Sequence, residues 1–167
     1  SIFLAGNIGG FQAKKYSTNQ IQEMLDAVEA DALCVHLNPA QELTQPEGDG
    51  DWTGVLQAIE RLCSDLSLPV IAKEVGGGIN EEIARELEKA GVKAIDVSGT
   101  GGTSWVAVEH YRGGRSGDVF WDWGIPTVKA LEQCTKAVKL PLIASGGVRN
   151  GLDVAKAIRL GAVIGGA

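Results

Sequence analysis

Six short apolar runs, nearly every one followed by a polar or glycine-rich cluster, recur along the chain: Ile2 to Ala5, Ala32 to Leu37, Pro69 to Lys73, Ala94 to Val97, Pro141 to Ala144 and Ala162 to Ile164. Runs of about four to eight residues rich in Val, Ile, Leu and Ala fit strands buried on both faces, as in parallel sheets. Between them lie stripes at helical spacing: Ile21, Met24, Leu25 and Val28; Val55, Ile59 and Leu62; Ile83, Leu87 and Ala90; Leu131 and Val138; Leu152, Ala155 and Ile158. Gly91 and Gly161 stand where helices should stop, because glycine accepts the left-handed conformation of a C-cap. Parallel strands joined by helical crossovers leave an open doubly wound sheet or a closed barrel. An open sheet gathers its functional groups at one switch point, whereas here a cluster follows nearly every strand, which predicts an α/β fold of the (β/α)8 TIM-barrel type. About six of the eight strands of such a barrel are present. Residues 1–167 are therefore read as one domain, a partial (β/α)8 barrel whose N-terminal portion, with the other strands, lies before Ser1.

Charge and cysteine usage narrow the function. The net charge of −6 opposes a general nucleic-acid surface, which requires concentrated Lys and Arg. The three cysteines, Cys34, Cys63 and Cys134, are widely spaced and suggest neither a disulfide framework nor a zinc site. No apolar run is long enough to span a bilayer, and no basic segment precedes an apolar N-terminal stretch. A soluble, cytoplasmic protein that forms homo-oligomers is expected.

The 23 glycines sit mostly in the clusters where chemistry is expected. Gly6-Asn7-Ile8-Gly9-Gly10 reads as a loop after the first strand, offering the two-sided amide of Asn7 at the barrel mouth or serving only as a glycine turn. In His36-Leu37-Asn38-Pro39-Ala40-Gln41-Glu42, strand alternation puts His36 and Asn38 on one face, and Pro39 turns the chain so that Gln41 and Glu42 follow in a loop. Four polar groups within seven residues are poorly explained by packing. Glu42 offers hard oxygen to a Mg²⁺ ion arriving with substrate phosphates. Lys73 closes its strand either paired with Glu74 or directed at an anion or a negatively polarised ring. The loop Val97 to Trp105, with Ser98 and Thr103, supplies hydroxyls and amides for an anion-binding concavity, and Trp105 can wall an apolar substrate. Ser145-Gly146-Gly147-Val148-Arg149 before a helix, with Gly165-Gly166 after the last strand, is the arrangement by which barrels bind phosphate, and Arg149 can add a forked contact. The polar stretch Arg112 to Asp122, with Arg115 and Asp118, reads as a mobile loop.

These segments, taken in order, resemble the type II isopentenyl-diphosphate isomerases, which use flavin mononucleotide. The resemblance runs through Gly6-Asn7-Ile8-Gly9, His36 to Glu42, Lys73-Glu74-Val75-Gly76, Asp96 to Trp105, Trp123-Gly124-Ile125-Pro126-Thr127 and Ala144-Ser145-Gly146-Gly147. The segment from His36 to Glu42 discriminates best, since the others recur in flavin barrels such as the α-hydroxyacid oxidases. The resemblance implies that Asn7, Lys73, Ser98 and Thr103 contact FMN, and that Gly147, Val148, Arg149, Gly165 and Gly166 hold its phosphate. It also implies substrate or catalytic roles for His36, Asn38, Gln41 and Trp105, and a Mg²⁺ ligand in Glu42.

The implied reaction interconverts isopentenyl diphosphate and dimethylallyl diphosphate in isoprenoid biosynthesis. Reduced FMN serves in it as acid and base near a carbocation-like state, and NADPH is needed only as reductant. The family's N-terminal portion, with an Arg/Lys pair for the diphosphate and a glycine-containing flavin loop, has no counterpart here. Two other readings stay open: another FMN-dependent barrel oxidoreductase of the hydroxyacid oxidase type, and a non-catalytic flavin- or phosphate-binding fragment. The first wants a His base near the last strands, and the only histidines are His36 and His110.

Overall fold

The computed structural model describes residues 2–114 and 117–167. Its strands are β1 (Ala5–Gly9), β2 (Ala32–Leu37), β3 (Val70–Glu74), β4 (Ala94–Asp96), β5 (Leu142–Ala144) and β6 (Ile164–Gly165). Among the described residues they form one parallel sheet in the order β1-β2-β3-β4-β5-β6. A doubly wound sheet would reverse direction at a switch point. This one never does, so each crossover adds its strand on the same side, as in a barrel.

The connecting helices are α1 (Gly10–Lys15), α2 (Thr18–Ala27), α3 (Pro39–Thr44), α4 (Val55–Asp65), α5 (Glu81–Ala90), α6 (Trp105–Tyr111), α7 (Thr127–Ala137) and α8 (Gly151–Arg159), with a 3-10 turn at Gly117–Phe120. Local chemistry sets their ends. Ser17 and Gln20 form a reciprocal capping box at the start of α2. Asn80 caps α5 through Ile83 N, and Gly91 ends it in the left-handed conformation at φ 97°. No helix among the described residues is long and apolar enough to cross a membrane.

Strand alternation separates core from site. Leu33, Val35, Val70, Ala72 and Ile95 turn to the helices and are buried with Leu25, Ile59, Leu62, Leu87 and Leu131 in one continuous cluster. The opposite face carries Asn7, Cys34, His36 and Lys73 towards a cavity.

Several sequence expectations are corrected by the structure. The first strand is not Ile2 to Ala5 but Ala5–Gly9, so Gly6, Asn7 and Ile8 lie within a strand and not in a loop. Apolarity misleads there because one face of β1 lines a polar cavity. Gly6 serves the other face, where a Cβ would come within 2.6 Å of Leu25 Cδ2. Ile2, Phe3 and Leu4 are exposed, and Leu4 N–H donates to the Asp31 carboxylate while its carbonyl accepts from Asp31 N–H.

Gln41 and Glu42 lie in α3, not in a loop, because Pro39 sits at the first helical position, where its fixed φ favours a helix. The stripe Leu152, Ala155 and Ile158 faces outward, and α8 meets the core through Ala157. The last strand is shifted to Ile164–Gly165, so Gly165 is a strand residue and not part of a turn. The stretch from Arg112 to Asp122 is not featureless: it contains the 3-10 turn, and Trp121 packs edge-on against His110 and Tyr111. Arg115 lies outside the described residues.

Leu62 is fully buried at the centre of the α4 stripe, so Leu62→Ala should destabilise the fold by about 2–5 kcal/mol in denaturant unfolding. Gly91→Ala should cost about 1–2 kcal/mol, the penalty of a side chain in the left-handed region. A Leu62→Ala midpoint equal to that of the parent would refute this assignment of the core.

Candidate active site

Register brings the site together. Gly9, His36, Lys73, Asp96, Ile143 and Ile164 are successive Cα partners across the sheet, a row from which His36 and Lys73 line the cavity. One step deeper runs the row Asn7, Cys34, Ile71 and Ala94. Above, the chain leaves β2, β4 and β5 through Asn38, Ser98 and Ser145. These ends surround a cavity of about 1000 Å³ whose wall includes Asn7, His36, Gln41, Lys73, Ser98, Thr103, Trp105, Gly147, Val148 and Arg149. Asn38 opens instead on an adjoining space of about 90 Å³, shared with Gln41 and Trp105 and closed by Val106, Trp121 and Trp123. Glu42, Gly165 and Gly166 stand on neither wall.

On the sheet, the Asn7 side-chain amide donates to His36 Nδ1 at 3.2 Å, which leaves the ring proton on Nε2. Burial, and then the positive charge of Lys73, lower the His36 pKa below its usual value of 6.5, with Glu42 opposing. The imidazole is thus held neutral at neutral pH. Burial also raises the Cys34 thiol to about 11, so it is a wall and not a nucleophile. Lys73 Nζ donates to the Glu74 carbonyl at 2.6 Å, and no salt bridge to Glu74 forms among the described residues. The Glu74 carboxylate turns away and accepts from the amides of Val75, Gly76 and Gly77, fixing that loop. Burial raises its pKa against those hydrogen bonds.

Asp96 lies beneath the site, 9% exposed, and accepts from Ser145 Oγ at 2.7 Å and Ser98 N at 3.2 Å. Burial pushes its carboxyl upward, opposed by the Ser145 hydroxyl and Lys73. Ser98 adopts φ 33°, a left-handed conformation that only surrounding contacts can hold in a non-glycine residue.

Opposite the sheet, α3 presents a linked set of amides and carboxylates. Asn38 Nδ2 donates to Gln41 Oε1 at 3.2 Å and Glu42 Oε1 at 3.1 Å. Glu42 Oε2 accepts from Gln45 Nε2 at 2.7 Å and Asp49 N at 3.1 Å. Gln41 Nε2 donates to Glu109 Oε1 at 2.9 Å. Glu109 is 2% exposed and paired with Arg112. Sequence reading missed this carboxylate. The one signal was its position three residues after Val106 on the buried stripe of α6, where an apolar side chain belongs.

The glycine loops form the third wall. Gly147 adopts φ 80°, and a Cβ on Gly102 would come within 3.0 Å of Gly147 N. The N–H groups of Gly147 and Val148 find no hydrogen-bond acceptor among the described residues, as suits an anion cradle. Two expectations for this region change. The second and third amides of α8 are not free, because Asn150 Oδ1 accepts from Leu152 N and Asp153 N. Nor does Arg149 extend a free fork: Nη2 donates to Gly101 O at 2.7 Å and Nη1 to Gly147 O at 3.3 Å, so the guanidinium ties two loops and contributes its charge there.

Comparison with known proteins gives this geometry a family. The pattern of the FMN-dependent dehydrogenase family matches residues 12–166. The isopentenyl-diphosphate delta-isomerase of Methanosarcina mazei is 51% identical over 96% of this chain and 46% of its own length. That of Pyrococcus abyssi is 48% identical over 96% and 46%. The chain thus spans about half the length of the curated relatives it matches. Among solved structures, inosine 5' monophosphate dehydrogenase from Legionella pneumophila superposes with TM-score 0.64 at 20% identity, over 99% of this chain and 43% of that one. A GMP reductase from Trypanosoma brucei gives 0.67 at 22%, over 99% and 30%. Both are (β/α)8 barrels, which fixes the fold, while the family pattern runs through every strand but the first: the chain belongs to the FMN-dependent dehydrogenase family.

Proposed function

We propose that this chain carries the flavin and alkene face of an isopentenyl-diphosphate delta-isomerase of type II, interconverting isopentenyl and dimethylallyl diphosphate. The observation that carries the reading is the confrontation, across one cavity, of an anion cradle at Gly147 and Val148 with a fixed amide at Gln41. Similarity near 50% to isomerases over 96% of the chain supports it.

The residues fit FMN. The Gly147 and Val148 amides, without an acceptor among the described residues, and the Arg149 charge suit its phosphate, and the glycine loops let backbone approach closely where a Cβ would intrude. Asn7, Lys73, Ser98 and Thr103 would contact the ring and its chain, and Gly165 and Gly166 would support the phosphate loop from behind, since Gly166 N–H donates to Ala144 O. When bound and reduced, FMN supplies the proton donor and acceptor and a negatively charged ring, and NADPH is the reductant.

The chain's own groups bind and orient. Gln41 cannot act as a strong acid or base. With its nitrogen committed to Glu109 and its oxygen to Asn38, it holds one orientation beside the alkene. Neutral His36 offers its Nε2 proton to a diphosphate oxygen. Lys73 favours negative charge on the ring, an effect strengthened where water is excluded. Trp105 covers the apolar end of the substrate. Glu42 would offer Mg²⁺ one hard carboxylate oxygen, but it stands on neither cavity wall and its oxygens accept from Asn38, Gln45 and Asp49 N, so it would have to exchange those bonds to meet an ion on the substrate diphosphate; among the described residues no cluster of three or more His, Cys, Asp or Glu offers an all-protein site. Hydroxyacid oxidation is disfavoured, because His110 packs against Tyr111 and Trp121 and is absent from the cavity wall.

The decisive assay is proton exchange from isopentenyl diphosphate in D₂O, with the intact protein and reduced FMN. Gln41→Ala should retain the bound flavin spectrum and lose turnover by roughly 100-fold, the cost of losing one positioned contact. Release of flavin by this variant would put Gln41 on the wrong side of the cavity.

A second measurement tests His36. Its folded pKa lies below the unfolded value of 6.5, so the unfolded chain takes up the proton first, and stability must fall as pH drops from about 6.5 towards the folded pKa. In urea titrations the parent should lose stability across that window relative to His36→Gln. Parallel profiles for the two proteins would count against a neutral, buried imidazole.

A further inference from the structure

The hydroxyl of Thr127 sits behind the anion cradle without touching the cavity. It belongs to the first turn of α7, following Ile125 and Pro126, and it reaches the loops after both β4 and β5. Thr127 Oγ1 donates to Gly146 O at 2.6 Å, the shortest of three carbonyl approaches; Thr100 O and Ser145 O lie at 3.3 and 3.4 Å. A hydroxyl has one proton, so Gly146 O is its acceptor and the other carbonyls are neighbours. The backbone of Thr127 is equally engaged, its N–H donating to Thr100 O at 3.2 Å.

Around this point the loops are stitched edge to edge. Gly78 N donates to Ser98 O, Gly99 N to Ser145 O, Thr100 N to Ile125 O and Ile125 N to Gly77 O. Packing leaves no slack: a Cβ on Gly99 would meet Thr127 N and Cα at 2.5 Å, and one on Gly146 would meet Gly99 O and Thr127 Oγ1. Gly146 and Gly147, at φ 95° and 80°, turn the chain where Gly147 and Val148 line the cavity, and the amides of those two residues find no acceptor among the described residues. Consecutive left-handed residues can swing by rotation about either glycine, because glycine imposes little torsional restraint. The Thr127 hydrogen bond to the carbonyl between them removes that freedom.

We propose that Thr127 is a positioning residue for the cofactor phosphate, holding the Gly146–Gly147 turn so that its amides converge on the anion. The inference rests on the flavin reading above and concerns phosphate affinity in particular. A pin on the phosphate loop matters to FMN and not to riboflavin, which has the same ring and no phosphate. In the intact protein, Thr127→Val and Thr127→Ala should weaken FMN binding by roughly tenfold, the equivalent of one hydrogen bond of about 1.4 kcal/mol. Both should leave riboflavin affinity unchanged, and Thr127→Ser, which keeps the hydroxyl, should restore FMN affinity.

Fluorescence titration of apoprotein with each flavin reads these values directly. Unchanged FMN affinity in both hydroxyl-less variants would overturn the proposal. So would equal loss of FMN and riboflavin, including loss through misfolding, since Thr127 would then support the fold and not the phosphate. Parent protein that binds neither flavin would instead overturn the flavin reading itself.

Discussion

Parallel register is the constraint on which the rest of the molecule depends. Because β1 to β4 pair in step, Gly9, His36, Lys73 and Asp96 are set side by side at the strand spacing of about 4.8 Å, with no side-chain contact needed to align them. A slip of one residue in any strand would move its cavity group into the helix layer and bring an apolar residue into the cavity. The buried cluster prevents this, since Val35, Val70, Ala72 and Ile95 cannot exchange places with His36 and Lys73 without burying charge and exposing hydrocarbon. Core packing and site geometry are two faces of one alternation.

Rigidity above the sheet comes from a different source. The loops carry few apolar side chains, and several of their glycines approach neighbouring backbone too closely for a Cβ, as at Gly99 against Thr127 and Gly147 against Gly101. Backbone hydrogen bonds between consecutive loops, completed by the isolated bridge of Thr100 with Pro126, take the place of a core. Main-chain amides held this way make a cradle whose shape does not depend on rotamers, which suits a large planar ligand with an anionic tail.

Much of this was legible in the chain. The strands β2, β3, β4 and β5 and the helix stripe Val55, Ile59 and Leu62 follow directly from apolar periodicity, because those elements are buried where periodicity says they are. Ten of the residues singled out from sequence line one cavity, since a barrel delivers every strand end to the same mouth. What misled was any element with a polar or open face. β1 carries glycine and Asn7 where a strand was expected to be apolar, and α8 turns Leu152 and Ile158 outward. Glu109 was not singled out from the sequence, and Thr127 only as the end of the segment Trp123 to Thr127 with no role, for a further reason. Each acts through a contact to a distant segment, Gln41 or Gly146, and local pattern carries no trace of pairings 68 and 19 residues apart.

The electrostatics resolve an apparent conflict, an acidic chain whose cavity wall is lined by cations and amides. The net charge of −6 is irrelevant at the cavity wall, because screening confines exposed charges to about 10 Å and orientation decides the rest. Asp96, Glu74 and Glu109 are all buried close to the site, yet each directs its oxygens to donors within the protein: the Ser145 hydroxyl, three loop amides, and Gln41 with Arg112. Their charge therefore orders the wall without facing the cavity. What the wall presents is the opposite polarity: the Lys73 ammonium, the Arg149 guanidinium and the amides of Gly147 and Val148, which find no acceptor among the described residues. A carboxylate turned by one rotamer out of its donors would set a negative charge among those cations, so the buried hydrogen bonds of the three acids help to keep the wall positive.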